Sequence, residues 1–190
     1  PEDHWVITIG YNANKAFNHL KILRELNQLE PEIKRKITCI LPLTYSRNNT
    51  NYLHSLNTLI ATLDINAICL NEFMAHSDIA KLRLITDVQI QMPISDALSG
   101  SVTEVLYSGN IVLAGSWLPY GIYDRIGVPL IKIEDFNELQ NEIKRIFKEL
   151  DSLKLKSKNA INAIPKTFFP DATTKAWINV YDKVLGKQKN

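Results

Sequence analysis

Hydrophobic and polar positions along this chain switch repeatedly between two periods. The run WVITIG (5–10) is short, β-branched and closed by glycine, as a strand is. After it, Phe17, Leu20, Ile22, Leu23 and Leu26 recur at the spacing of one helix face, which predicts a helix over 14–29. Pro31 then punctuates a connector. KITCILPL (36–43) is apolar at nearly every position, the pattern of a strand buried on both faces. The same reading predicts helix 51–63, strand 66–70 and helix 76–86 with Ser77 or Asp78 as cap. Strand 88–92, helix 101–109 stopped by Gly109, and strand 110–115 follow. A last strand over 127–133 precedes a long amphipathic helix over 136–154. A short helix over 157–164, ending before Pro165, and a terminal one over 173–186 complete the pattern.

Strands alternating with helices at short intervals predict an α/β domain, a doubly wound parallel sheet covered on both faces. In such sheets ligands settle beyond the carboxyl ends of the strands, where the strand-to-helix loops converge. The stretch 95–101 is one of those loops. A chain of 190 residues, 45% of them hydrophobic, suits one domain with its own core, and no repeat or low-complexity linker divides it. A net charge of +2 gives no reason to expect a nucleic-acid partner. The basic cluster over 144–158 and the tail lysines Lys183, Lys187 and Lys189 read as solvated helix faces. Cys39 and Cys69 lie in apolar strand-like runs and are expected to be buried free thiols of a reducing compartment. No apolar run approaches the ~18 residues of a membrane span, and no signal-peptide pattern opens the chain. A cytoplasmic protein is therefore expected. The opening PEDHWVITIG carries no initiator Met and enters a strand within a few residues, which reads as a piece of something longer.

The chemistry concentrates in SDALSGSVTEVLYSGNIVLAG (95–115). Gly100 and the serines beside it, Ser99 and Ser101, admit unusual backbone angles, so a tight turn is expected there. The turn opens into a helix whose first amides, from Leu98 to Val102, have no partner within the chain. Those N–H groups and the helix dipole make a seat for a diphosphate without any cationic side chain. Glu104, about one turn inside, can accept hydrogen bonds from vicinal hydroxyls such as those of a ribose. Asp96 would face the other side of the phosphates, where a sugar would lie. Taken alone, the spacing better suits an Asp that starts a turn and a Glu that complements the helix dipole.

The order MPIS, Asp96, seven residues, Glu104, VLYSG and NIVLAG resembles the carboxylate-x7-carboxylate motif in the C-terminal domain of GT-B glycosyltransferases, whose usual form is Glu-x7-Glu. The resemblance runs the length of the chain. WVITIGYNANKAFNHLKILREL is similar to the family's opening strand, Gly-containing loop and first helix. ICLNEFMAHSDIAKLRLITDVQIQMPIS is similar to its base-binding strand and loop, the next helix and the strand before the motif. The last helix, with Trp177 and Tyr181, resembles the terminal helix that crosses back to the N-terminal domain. LPLTYSRNNTNYLHSL is similar to the fucosaminyltransferases of enterobacterial common antigen synthesis. Two departures stand out: the first acid is Asp, and GSWLPYG replaces the usual Gly-Gly pair.

The resemblance implies a Rossmann-like half of a GT-B glycosyltransferase, with 1–190 as the donor-binding C-terminal domain of a longer two-domain chain. It implies a hexosyltransferase that takes a nucleoside diphosphate sugar and glycosylates a glycan or lipid-linked acceptor in bacterial-type polysaccharide synthesis, with retention at the anomeric carbon. Asp96 and Glu104 would be the site acids, and Lys15 the cation against the diphosphate. Gly10, Tyr11, Arg47, Phe73 and Met74 would join the 98–102 amides in holding the donor. Tyr11, Trp117 and Tyr120 are expected in or beside carboxyl-end loops, packing there or stacking on sugar. No cofactor and no metal are implied. His4, His19, His54 and His76 are dispersed, and Asp-x-Asp, Gly-x-Gly-x-x-Gly, P-loop and nucleophile-elbow patterns are absent. Acceptor groups would come from an N-terminal half, no nucleic acid would bind, and the full-length enzyme would sit peripherally at the inner face of the membrane. The fragment alone would be inactive. A sugar-nucleotide epimerase of the same fold and a non-catalytic assembly domain remain as alternatives.

Overall fold

Each predicted strand forms, and the computed structural model, which describes residues 4–186, arranges them in one sheet. The strands are β1 (Trp5–Ile9), β2 (Ile37–Pro42), β3 (Asn66–Leu70), β4 (Val88–Gln91), β5 (Ile111–Gly115) and β6 (Ile131–Ile133). Their order is β3-β2-β1-β4-β5-β6, and every pairing is parallel. Ile7 of β1 is in register with Cys39 of β2 on one side and Val88 of β4 on the other. The chain therefore winds outward from β1 to β3, returns to the centre at β4 and winds the other way. That reversal opens a crevice at the carboxyl ends of β1 and β4, where ligands of such sheets bind.

One face is covered by α1 (His19–Leu26), α3 (Thr50–Ile60) and α7 (Leu139–Ser157), which bury Ile22, Leu23, Leu56, Ile143 and Ile146 against Ile7, Ile9, Leu41, Ile90 and Leu113. The other holds α5 (Gly100–Tyr107), α6 (Gly121–Arg125) and α8 (Asn159–Phe168), where Val102, Val105, Tyr120, Tyr123 and Ile164 close over Val112 and Ala114. Beyond β3 runs α4 (His76–Ile85), and α2 (Pro31–Lys34) links α1 to β2. Removing that apolar area from water at ~25 cal/mol per Å² is what drives the layering.

The differences from the sequence expectation are local. The helix expected over 14–29 is broken. Asn14 accepts a hydrogen bond from the Ala16 amide and holds a single 3-10 turn, Lys15–Phe17. Asn18 then turns left-handed, with φ 58°, and its side chain donates to the Met92 carbonyl at 2.8 Å, so α1 begins only at His19. Local asparagine chemistry overrides the apolar periodicity. Pro31 starts a helix rather than a connector, as its fixed φ allows in a first turn. The strand expected over 127–133 shrinks to Ile131–Ile133, because Gly127 is left-handed at φ 70°. Pro165 does not stop its helix; α8 runs on to Phe168, and the extended Phe169 before Pro170 makes the break instead. Cys69 is only half-buried, since β3 is an edge strand, whereas burial pushes the Cys39 thiol to about 12. The terminal helix, α9 (Pro170–Val184), has no buried residue, and Trp177 and Tyr181 stack on its exposed surface. Lys187 and Lys189 lie outside the described residues.

Candidate functional site

At the carboxyl end of β1 the chain must leave the sheet abruptly, and Gly10 makes this turn. Its φ is +62°, its amide donates to Ile90 O at 3.0 Å, and a Cβ there would stand 2.8 Å from the Phe17 ring. Tyr11 and Asn12 follow and line a cleft of about 470 Å³. Its other walls are Pro42, Thr44 and Tyr45 after β2, Met74, His76, Ile79 and Arg83 around α4, and Ser99, Gly100, Ser101 and Glu104 at the start of α5.

The turn into α5 is built differently from the expectation. Gly100 and the two serines do not carry the unusual angle; Leu98 does, with φ 64°, and Gly100 is simply the first residue of the helix. A leucine held left-handed costs about 1–3 kcal/mol, a strain that collects at functional loops. The Asp96 Oδ1 accepts from the Ala97 amide at 2.8 Å and helps to set the turn. Among the described residues, the amides of Leu98, Ser99, Gly100 and Ser101 donate to no acceptor. Val102 leaves the expected set, because its N–H is used on Ser99 O at 3.1 Å. Four adjoining N–H groups at a helix start form an anion seat.

Asp96 and Glu104 bracket that seat along the chain, and neither is free; Glu104 lines the cleft, and Asp96 does not. Asp96 Oδ2 accepts from Gln91 Nε2 at 2.7 Å and from the Tyr120 hydroxyl at 2.6 Å. Gln91 in turn accepts from Gln89, and Gln89 accepts from Ser101 Oγ at 3.0 Å. A buried polar chain thus runs from the first turn of α5 to Asp96. Tyr120 is fully buried, and burial, then the neighbouring Asp96 charge, raise its pKa far above the usual value, so it remains a donor. Tyr120 is thus an anchor for Asp96 and not a sugar platform. Burial raises the pKa of Tyr11, and the neighbouring Asp96 charge raises it further. A carboxylate offers about four acceptor positions, so Asp96 keeps roughly one for a ligand. Glu104 Oε2 accepts from Arg83 Nε at 3.0 Å; Glu104 is half-exposed, whereas Arg83 is buried.

The remaining expected site residues divide. Met74 lines the cleft, beside Tyr45. Phe73 projects 76% exposed and meets Tyr45 edge-on. Lys15 sits exposed on the 3-10 turn and does not line the cleft. Arg47 donates to the Asn71 carbonyl at 3.1 Å, which ties two loops together and turns it away from the cleft lining. Trp117 donates to Pro93 O and packs on Gly115, bracing the loop before Asp96 from the position of the expected glycine pair. His19 is fully buried, bonded to Tyr52, and desolvation lowers its pKa to about 4. Among the described residues no three His, Cys, Asp or Glu side chains converge as metal ligands. Sequence reasoning missed Arg83, Gln89, Gln91 and Tyr45. The one available signal was the pair of glutamines alternating with Val88 and Ile90 in a strand too central to be solvated.

No protein-family model matches this chain, and no curated protein does. Solved structures do. A glycosyltransferase from Rickettsia africae superposes with a TM-score of 0.81 at 18% identity, over 99% of this chain and 50% of that one. The six-stranded parallel sheet with its flanking helices matches the fold of half-domains of GT-B glycosyltransferases. HepE from Anabaena, solved in complex with UDP-glucose, gives 0.76 at 16% identity over 95% of this chain and 49% of that one. The C-terminal domain of a group 1 glycosyl transferase, LpcC from Francisella tularensis, gives 0.69 at 14% identity and covers 86% of both chains. The chain spans about half the length of the first two of these proteins.

Proposed function

We propose that this chain is the donor-binding half of a glycosyltransferase that moves a hexosyl group from a nucleoside diphosphate to a glycan or lipid-linked acceptor. The observation that carries the reading is the row of unbonded amides from Leu98 to Ser101 at the start of α5, where Ser99, Gly100, Ser101 and Glu104 line the cleft. Transfer leaves negative charge on the departing diphosphate, and fixed N–H dipoles at the place where charge develops lower that barrier. Glu104 would take the ribose, Asp96 one hydroxyl of the donor sugar, and Tyr45 with Met74 and Phe73 the base. Lys15 would join the phosphates only after a movement of its turn. The complex of HepE with UDP-glucose supports a nucleotide sugar as ligand of such a half.

No metal is required by this scheme, since the helix start supplies the electrostatic stabilisation. The acceptor and any general base would belong to an N-terminal half, so the 190 residues alone would bind nucleotide weakly and turn nothing over. Retention, the inner-membrane face and polysaccharide synthesis follow from the likeness of the acid motif to the GT-B enzymes. The fucosaminyltransferase likeness falls on the end of β2, the loop after it and α3, a stretch of which Pro42, Thr44 and Tyr45 line the cleft. Among the described residues no helix is long and apolar enough to cross a membrane. Calorimetric titration with UDP, GDP and dTDP tests the reading. One of them should bind in the micromolar to millimolar range, and Glu104→Ala should weaken it. No heat with any of them up to millimolar concentration, with Glu104→Ala indistinguishable from wild type, would remove the proposal.

A further inference from the structure

Arg83 is the feature of the cleft that the acid motif leaves unexplained. Only 8% of the residue is exposed, although it lies in the last turn of α4 and lines an open cleft. Its Nε donates to Glu104 Oε2 at 3.0 Å, while its Nη1 is buried without a hydrogen-bond partner. Across the same cleft the Ser99 hydroxyl is also buried and unpartnered. A guanidinium only donates, so whatever meets Nη1 must be an acceptor. Leaving a buried donor unmet is costly, and burying a guanidinium beside a half-exposed carboxylate is a poor way to gain stability. The pair makes better sense as part of a recognition surface.

The chemistry narrows what that surface reads. Arg83 and Glu104 together are formally neutral, so they hold no net attraction for a phosphate, which the α5 amides already seat. Glu104 Oε2 is occupied by Arg83, and Oε1 lies on the side of Gly100, 4.0 Å from where a Cβ on that residue would be. One free acceptor and one free donor, fixed to each other by an ion pair, complement two adjacent hydroxyls. One hydroxyl donates to Glu104 Oε1, and the oxygen of its neighbour accepts from Arg83 Nη1. We infer that Arg83 is a specificity residue that makes the cleft select nucleotides with an intact ribose diol over 2′-deoxy nucleotides. This rests on the nucleoside diphosphate reading given above and adds to it the class of nucleotide.

The test compares UDP with 2′-deoxy-UDP, and GDP with 2′-deoxy-GDP, by calorimetry on the 190-residue chain, on Arg83→Met and on Arg83→Lys. Wild type should prefer the ribonucleotide by about tenfold or more, the usual effect of one lost charge-assisted hydrogen bond. Arg83→Met should bring that ratio below about threefold, and both forms should bind more weakly than to wild type, because the Glu104 charge is left without its counter-ion beside the diphosphate seat. Arg83→Lys keeps the charge but not the fork, and should also lose most of the preference. Should Arg83→Met fail to fold, the wild-type ratio and Arg83→Lys still decide. Equal binding of ribo and deoxy forms by wild type, or an undiminished ratio in Arg83→Lys, overturns the inference and leaves donor binding intact. Wild type that binds dTDP but none of the four overturns this inference alone, whereas wild type that binds neither the four nor dTDP overturns the donor-binding reading itself, and this inference with it.

Discussion

On one face of β4, Ile90 and Met92, just past the strand end, are fully buried among the side chains of α1 and α7; on the other, Gln89 and Gln91 are equally buried, but beneath α5. The two faces differ in what their burial achieves. Apolar side chains gain free energy simply by leaving water. Amides lose it unless each polar atom finds a partner, and here the partners are Ser101, each other and Asp96. The first face secures the fold. The second gives up part of that gain so that Asp96 and the start of α5 keep a fixed relation. A single four-residue strand therefore divides between stability and site geometry, residue by residue.

The hardest test of that division is a pair of substitutions two faces apart. Ile90→Ala should cost about 2–5 kcal/mol, the usual range for a buried methylene deletion with its cavity. Gln91→Leu should cost less, about 1–3 kcal/mol, through the unmet Gln89 Nε2 donor and the loosened Asp96. Urea unfolding ranks the two. Titration of the folded proteins with a sugar nucleotide should then reverse the ranking, with Gln91→Leu weaker by roughly tenfold and Ile90→Ala unchanged. A Gln91→Leu protein that binds as wild type breaks the comparison.

A buried polar group on the apolar side sharpens it. His19 is enclosed by α1 and Tyr52, and desolvation holds its pKa at about 4 instead of 6.5. The unfolded chain therefore binds more protons than the folded one between those values. The associated stability is fully present above pH 6.5 and disappears as pH falls toward 4. The shift corresponds to an upper limit of ~3 kcal/mol. Thermal melts at stepped pH should show this loss in wild type and a flatter profile in His19→Gln. If both fall in parallel through that window, His19 is not the group responsible. An apolar layer, in other words, tolerates a histidine only while it is neutral.

What the sequence disclosed follows the same line between local and tertiary causes. The strands, most helix positions and the doubly wound topology were legible because period-2 and period-3.6 patterns are local. Asp96 and Glu104 could be singled out as candidates through the likeness of their setting to the carboxylate-x7-carboxylate motif, since their spacing alone suits a turn and a helix start better. Asn18 was not, since its left-handed turn depends on reaching Met92 on another strand. Leu98 was not, since leucine gives no sign of a positive φ. Arg83 was not, since its partner Glu104 is met only once the fold lays α4 beside α5. Gln89 and Gln91 were visible as an oddity, but which face they looked toward required knowing what α5 covers.

Two glycines at the crevice give the smallest and most discriminating effect. At Gly10 a side chain meets both a positive φ and the Phe17 ring at 2.8 Å, so Gly10→Ala destabilises whatever the ligand. At Gly100 the backbone is helical and a Cβ would find nothing nearer than Glu104 Oε1 at 4.0 Å. In the unliganded chain, then, Gly100→Ala should stabilise by about 0.4–1 kcal/mol through the lower entropy of the unfolded state. A melting temperature raised by a few degrees would register it. The same methyl group, however, stands over the amides proposed to seat the diphosphate, where close approach of a ligand to bare backbone is what glycine permits. Nucleotide affinity should fall even as the protein becomes more stable. A Gly100→Ala variant that is both more stable and undiminished in binding would show that the phosphates lie elsewhere, because no folding defect is then available to explain the result.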